Sequence, residues 1–173
     1  MMNSLQFCEE PGLVLPEFLS SDFYFDQFIT VNIEKLYVGL LSASDGKVMY
    51  LPIFKTPHYH FAKNAISGGA AGPITGYESY KDYAYRNRHM CSEEEFIELI
   101  ENMRTHGYDW QNKPIFVFRH WSRPFPIGRW DVADGFHRLA ILAALGEKKV
   151  KVGILRYKHS FIERLKRRLY CRK

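Results

Sequence analysis

The residues with the clearest chemical potential are Asp134, Gly135, His137 and Arg138, which stand within five positions of one another. An apolar β-forming run precedes them and an Ala/Leu-rich run follows, which predicts a strand that turns at glycine into a helix. N–H groups at a helix start are unpaired and carry partial positive charge. Gly135 lets a ligand approach the backbone, and Arg138 can bind phosphate with two nitrogens. The pattern therefore predicts a phosphate site.

Asp134 needs a reason to stand beside phosphates, because like charges repel. Its carboxylate could hold Mg²⁺, which takes oxygen ligands and bridges phosphates, or accept the proton of an attacking hydroxyl. Asp131 could assist, although strand alternation would point it and Val132 to opposite faces. A structural alternative stays open, in which Asp134 only caps the helix, worth about 1 kcal/mol, and Arg138 pairs with a glutamate.

Two histidines, His58 and His60, precede a glycine-rich segment at residues 67–76. In an extended chain they would lie on one side, where they could contact an acceptor hydroxyl or act as acid and base. The alternative is a pair of hydrogen-bonded surface histidines.

A tyrosine- and arginine-rich stretch follows the glycines. We predict that Tyr80 lies on an early helix that could close over a ligand, and that Arg86 and Arg88 could reach phosphates or a sugar acid. The alternative is a packed aromatic helix with exposed arginines.

The elements that must position these residues can be predicted along the chain. Val31–Ser42 and Lys47–Phe54, joined by a turn, predict a β-hairpin. Ser92 and Glu95 form a capping box before an amphipathic stretch that ends at Gly107, which predicts a helix. Further predicted elements are strands over 115–120, 127–133 and 149–155 and a helix over 136–145. This order of helices and strands indicates an α+β fold.

Composition limits the classes of protein to consider. The 173 residues suffice for one domain with an extension, and 16% aromatic residues exclude disorder of the whole chain. We find no apolar run long enough for a transmembrane helix and no signal peptide at the N-terminus. Three dispersed cysteines support neither a disulfide framework nor a zinc knuckle. We therefore expect a cytoplasmic protein.

The positive charge is concentrated at the C-terminus. The net charge is +5, and residues 158–173 hold seven Lys or Arg and one Glu, so the remaining chain is nearly neutral. Apolar residues at helical spacing predict a short basic amphipathic helix in this tail. It could bind an anionic membrane surface, which would place the protein at the inner membrane face. Nucleic acid ranks behind the membrane, and a helix docked on the domain is the structural alternative.

Residues 77–156 resemble the ParB/sulfiredoxin-like superfamily, whose related motifs bind nucleotide phosphates at a helix start. The residues that carry this resemblance are Asp134-Gly135-Phe136-His137-Arg138-Leu139-Ala140, Leu145-Gly146 and Val150-Lys151-Val152. The resemblance implies an α+β nucleotide-binding domain over 77–156. We predict that a β-containing extension over 1–76 supplies acceptor-side elements and that 157–173 form the basic amphipathic tail.

Departures from the superfamily narrow the implied activity. Sulfiredoxins carry a reactive cysteine before the His-Arg pair, where this chain has Phe136, so repair of sulfinic acids is not expected. We count too few residues after the last predicted strand for the helix-turn-helix of chromosome-partition ParB proteins. The motif looks closest to that of free-serine kinases, with Phe136 replacing a histidine. Similar motifs are typical of proteins encoded near surface-polysaccharide and lipopolysaccharide assembly genes.

The resemblance and the residues together predict an ATP-dependent phosphotransferase that uses Mg²⁺ and a small hydroxyl-bearing acceptor, such as a sugar of a surface glycan. Two alternatives stay open: a nucleotide-binding switch or NTPase without an acceptor, and a ParB-like nucleic-acid-binding protein or nuclease. The predicted catalytic residues are Asp134, His137 and His58, with Asp134 also holding Mg²⁺. The predicted nucleotide ligands are Gly135, Phe136, His137, Arg138, Arg86 and Arg88, and the predicted acceptor ligands are His60 and Tyr80.

Overall fold

The computed structural model describes residues 15–42, 46–68, 79–86, 91–119 and 129–158. Short 3₁₀ turns at Ile33–Lys35 and Ile53–Lys55 connect regular elements. The described helices and strands, in chain order, are α1 (Glu17–Ser20), β1 (Phe23–Asn32), β2 (Leu36–Leu41), β3 (Val48–Pro52), α2 (Pro57–Ser67), α3 (Tyr80–Arg86), α4 (Glu93–His106), β4 (Ile115–Phe118), β5 (Trp130–Asp134), α5 (Phe136–Ala144) and β6 (Lys149–Tyr157). The predicted α+β class is confirmed.

The described strands form one mixed sheet in the order β1-β6-β4-β5-β2-β3. β4 is parallel to β6 and β5 is parallel to β2, while the other neighbouring pairs are antiparallel. Strands from the first half of the chain therefore pair with strands from the second half. The predicted boundary between residues 76 and 77 lies outside the described residues and stays a prediction.

The two faces of the sheet bury different clusters, because side chains alternate along each strand. One face carries Val117, Val132 and Val152, which pack with residues of α2, α4 and α5 such as Phe96 and Leu139. The opposite face carries a smaller cluster in which Leu19 of α1 joins three strand residues, namely Phe116, Phe118 and Leu155. The larger cluster supports α5, the helix that follows the Asp-Gly turn.

Several local predictions are confirmed. β2 and β3 pair as the predicted hairpin. The Ser92 hydroxyl accepts from the N–H of Glu95 at 3.2 Å, and the Glu95 carboxylate accepts from the N–H of Ser92 at 2.7 Å, which completes the capping box of α4. α4 ends at Gly107, and α5 and β6 lie where the sequence predicts them. The predicted basic helix lies outside the described residues.

The chain around His58 and His60 differs from its prediction. It forms helix α2, with Pro57 in the first turn and the Thr56 side chain accepting from the Tyr59 N–H at 3.3 Å. Residues two positions apart on a helix point in nearly opposite directions, so the prediction that both histidines lie on one side is wrong. The helix start has a local cause, because a threonine cap followed by proline is typical of a first helical turn.

Candidate functional site

The turn between β5 and α5 is built around Gly135. Its φ angle is 89°, in the left-handed region that favours glycine. A Cβ atom at this position would lie 2.9 Å from Cγ1 and 3.1 Å from Cα of Ile115. The turn is therefore pressed against the first residue of β4, and only glycine satisfies both the backbone angle and the space.

The start of α5 offers backbone donors. The N–H of Leu139 donates to the Gly135 carbonyl at 2.9 Å, so the N–H groups of Phe136, His137 and Arg138 precede the helical hydrogen-bond ladder. Gly135 occupies the N-cap position, and no side chain caps the helix. The alternative in which Asp134 caps the helix is therefore wrong.

Arg138 lies at the same end of the helix and connects three segments. Its Nη2 donates to the Pro114 carbonyl at 3.1 Å and to Oδ2 of Asp134 at 3.2 Å. The side chains of Arg138 and Asp134 are 21% and 35% exposed, so the pair is partly accessible to solvent. The alternative in which Arg138 pairs with a glutamate is wrong. Nε of Arg138 is buried and has no hydrogen-bond partner among the described residues.

The partly exposed carboxylate of Asp134 could supply one oxygen ligand to Mg²⁺. Mg²⁺ is commonly bound by one or two carboxylates together with substrate phosphates and water. Within the described part of the chain, no group of three His, Cys, Asp or Glu residues could form a protein-only metal site. Asp131 cannot assist, because it is 2% exposed and accepts from Nε of Arg129 at 2.9 Å.

The imidazole of His137 points into the protein. Its Nε2 lies 2.8 Å from the Tyr80 hydroxyl, and its ring stands edge-on to Phe96 at 4.6 Å. The Tyr80 hydroxyl donates its only proton to the Cys91 carbonyl at 2.6 Å, so His137 Nε2 is the donor to Tyr80. The side chain of His137 therefore joins α5 to α3, while its N–H remains at the helix start.

His58 lies behind the turn and is fully buried. Its ring stands edge-on to His137, Tyr80 and Tyr83, with centroids 4.9, 5.3 and 5.3 Å away. Neither ring nitrogen has a hydrogen-bond partner in the ranges that the structure describes. We call His58, Tyr80 and His137 the inner cluster.

Burial makes the inner cluster neutral. It lowers the pKa of His58 well below its ordinary value, and the charge of His137 lowers it further. It also lowers the pKa of His137 to about 4, with a smaller contribution from Arg138. Burial raises the pKa of Tyr80 far above its ordinary value. At neutral pH these side chains carry no charge toward a ligand.

The remaining predicted residues lie on other elements. His60 is half-buried on α2, stands edge-on to Tyr59, and has a pKa lowered by burial and then by Lys63. Arg86 donates to the Leu41 carbonyl at 3.3 Å. These contacts do not join either residue to the turn. Arg88 lies outside the described residues.

One residue at the site was not predicted. The hydroxyl of Tyr108 accepts from the N–H of Ile115 at 2.6 Å, next to the Gly135 turn. Burial raises the pKa of Tyr108 to about 12. Among the nearby charges, that of Arg138 lowers this pKa and that of Asp134 raises it. The sequence places Tyr108 after the end of α4, but no spacing rule indicates that it meets β4.

Comparison with known proteins does not assign this chain to a family. The sequence matches no family model and no curated protein. No helix within the described ranges is long and apolar enough to cross a membrane. A function for this chain therefore has to be inferred from the chemistry of the turn and its surroundings.

Replacing Gly135 with alanine should destabilise the protein more than the same change at Gly146. Both residues have left-handed φ angles, 89° and 88°, so both variants incur a backbone cost of about 1–2 kcal/mol. Only at Gly135 would the new Cβ also collide with Ile115, whereas nothing lies within 4 Å at Gly146. Urea unfolding should show an additional loss of about 1–3 kcal/mol for Gly135→Ala. Equal losses would contradict the packed turn.

Stability should fall on acidification, because the inner histidines stay neutral in the folded state. Unfolded histidine takes up a proton below about pH 6.5, whereas His137 does so only near pH 4. The unfolded state therefore binds more protons in this window, and the free energy of unfolding decreases as the pH falls through it.

The variant His58→Leu should lose less stability than wild type between about pH 7 and pH 4.5, because it removes one of these groups. His106→Gln, at an exposed position near the end of α4, is the control and should keep the wild-type slope. Urea titrations at several pH values measure both slopes. A wild-type slope in His58→Leu would mean that His58 is not held neutral.

Proposed function

We propose that the Asp134–Arg138 turn binds the phosphates of ATP and that the protein transfers a phosphoryl group to a small hydroxyl-bearing acceptor. The observation that carries the proposal is the packing of Gly135 against Ile115. This packing leaves the start of α5 uncapped and sets the Arg138 guanidinium beside it. Backbone donors, a fixed cation and a partly exposed carboxylate thus stand together, as phosphoryl transfer requires.

Each group at the turn has a role in this proposal. The N–H groups of Phe136, His137 and Arg138 bind phosphate oxygens, and the Arg138 guanidinium neutralises their charge. The carboxylate of Asp134 accepts the proton of the acceptor hydroxyl or holds Mg²⁺. When bound, Mg²⁺ would supply positive charge that offsets the charge of the phosphates.

The histidine side chains have a structural role beneath the turn. His58 is fully buried, and the half-buried His137 hydrogen-bonds inward to Tyr80, so we assign both histidines to holding α5 in place. Of the predicted acceptor ligands, His60 is the more exposed, and it stays a candidate for contact with the acceptor.

The wider setting follows from the resemblance of residues 77–156 to ParB/sulfiredoxin-like domains. Within this proposal the acceptor is a sugar of a surface glycan or lipopolysaccharide. The basic residues at 158–173 would hold the protein on the cytoplasmic side of an anionic membrane.

A second candidate is nucleotide binding without transfer. Asp134 is already paired with Arg138, and the predicted catalytic imidazoles are buried. A turn of this kind could bind a nucleotide as a switch, with slow hydrolysis that does not depend on an acceptor.

Nucleotide binding should depend on Arg138. ATP, ADP, CTP and GTP are tested with and without Mg²⁺ by thermal shift, followed by titration. We expect Arg138→Ala to weaken ATP binding about ten- to a hundredfold, because it removes a charge-assisted contact to phosphate.

Arg104→Ala is the matched control for this experiment. Arg104 is an exposed arginine that is also paired with an acidic residue, Glu101, but on α4. It should keep the wild-type affinity. Equal ATP affinity in wild type and Arg138→Ala would remove phosphates from the turn, and a preference for CTP would favour the switch.

Turnover should depend on the carboxylate of Asp134. Asp134→Asn should reduce acceptor-dependent phosphoryl transfer about a hundredfold or more, since an uncharged amide cannot accept the proton and binds Mg²⁺ more weakly than a carboxylate. Its ATP affinity should change much less. The control is Asp26→Asn, which changes another arginine-paired carboxylate on β1.

Acceptors are screened with labelled ATP as the phosphoryl donor. Undiminished transfer in Asp134→Asn would refute the role of Asp134. Nucleotide binding by wild type without acceptor-dependent transfer would instead support the switch.

A further inference from the structure

The loop between α4 and β4 is closed by a tyrosine hydroxyl. α4 ends at Gly107, whose φ angle of 80° breaks the helical backbone, and Tyr108 is the first residue of the loop. Asp109 then holds the loop, because its side chain accepts from the N–H of Asn112 at 3.2 Å. The hydroxyl of Tyr108 accepts from the N–H of Ile115 at 2.6 Å and so connects the start of the loop to its end.

This hydrogen bond acts on a peptide group that Arg138 also binds. The N–H of Ile115 and the carbonyl of Pro114 belong to one planar peptide group and point in opposite directions. The N–H donates to Tyr108, and the carbonyl accepts from Nη2 of Arg138 at 3.1 Å. The group is therefore held from both sides.

The chain of contacts continues to the turn. Nη2 of Arg138 also donates to Asp134 at 3.2 Å, so a connected series of hydrogen bonds joins Tyr108 to the carboxylate. A peptide whose N–H is hydrogen-bonded has a more polarised carbonyl, which strengthens the contact to the guanidinium. Removal of the Tyr108 hydroxyl would leave the Ile115 N–H unpaired and free the peptide group to tilt.

We propose that Tyr108 is a positioning residue for phosphate binding, which acts through the Pro114–Ile115 peptide group to hold Arg138 at the start of α5. The inference rests on the proposed function, since Arg138 is the phosphate ligand through which Tyr108 acts. Burial raises the pKa of Tyr108 to about 12, so the hydroxyl stays neutral at working pH and keeps this arrangement.

A double-mutant cycle distinguishes positioning from general support of the fold. ATP dissociation constants are measured for wild type, Tyr108→Phe, Arg138→Ala and the double variant. We expect Tyr108→Phe to weaken binding about five- to tenfold when Arg138 is present and less than about twofold when it is absent. Tyr59→Phe, a half-buried tyrosine on α2, is the control and should keep the wild-type affinity.

The outcomes separate this inference from the proposed function. Equal losses from Tyr108→Phe in both backgrounds, or no loss, would overturn the positioning role while the phosphate site stands. Unchanged ATP affinity in Arg138→Ala, or no ATP binding by wild type, would overturn both.

A second measurement covers the case in which Tyr108→Phe fails to fold. A fluorinated tyrosine incorporated at position 108 keeps both the ring and the hydroxyl. Its fluorine NMR signal should move when ATP is added and when Arg138→Ala is introduced. A signal that moves in neither case would show that Tyr108 and Arg138 are not connected, and would overturn the inference.

Discussion

The contact between the left-handed backbone of Gly135 and the first residue of β4 is the constraint on which the site depends. Because Gly135 has no side chain, β5 can end, α5 can begin, and the turn can lie directly against Ile115. That closeness brings the guanidinium of Arg138 within reach of the Pro114 carbonyl. A larger residue would separate the turn from β4 and move Arg138 away from the start of α5, where we propose that phosphate binds.

The groups around the turn form two layers with different electrostatics. The outer layer is the Asp134–Arg138 ion pair, which is partly exposed and whose guanidinium is also held by the Pro114 carbonyl. The inner layer is the cluster of His58, Tyr80 and His137, which burial keeps neutral. Within this layer, the hydrogen bond between His137 and Tyr80 holds α5 against α3.

Burial also gives the histidine side chains a different role from the one that the sequence predicts. From the sequence, a histidine at a helix start is predicted to bind phosphate or to transfer a proton, since its ordinary pKa lies near neutrality. In the folded chain the imidazole of His137 is a hydrogen-bond donor to Tyr80 and takes up a proton only near pH 4. In the proposed function, the groups that act on the phosphates are therefore backbone N–H groups, a guanidinium and a carboxylate, and no histidine side chain is required.

The sequence alone determined what depends on neighbouring residues. The capping box predicted the start of α4, and the Asp-Gly step predicted the turn before α5, because both are set by hydrogen bonds and backbone angles within a few residues. The start of α2 is set locally as well, by the Thr56 side chain that caps it and by Pro57 in its first turn. Tertiary structure alone decided the burial of His58, the direction of His137 and the contact of Tyr108 with Ile115. These features depend on which distant elements pack together, and that packing follows from burial of the whole core, which no short stretch of sequence encodes.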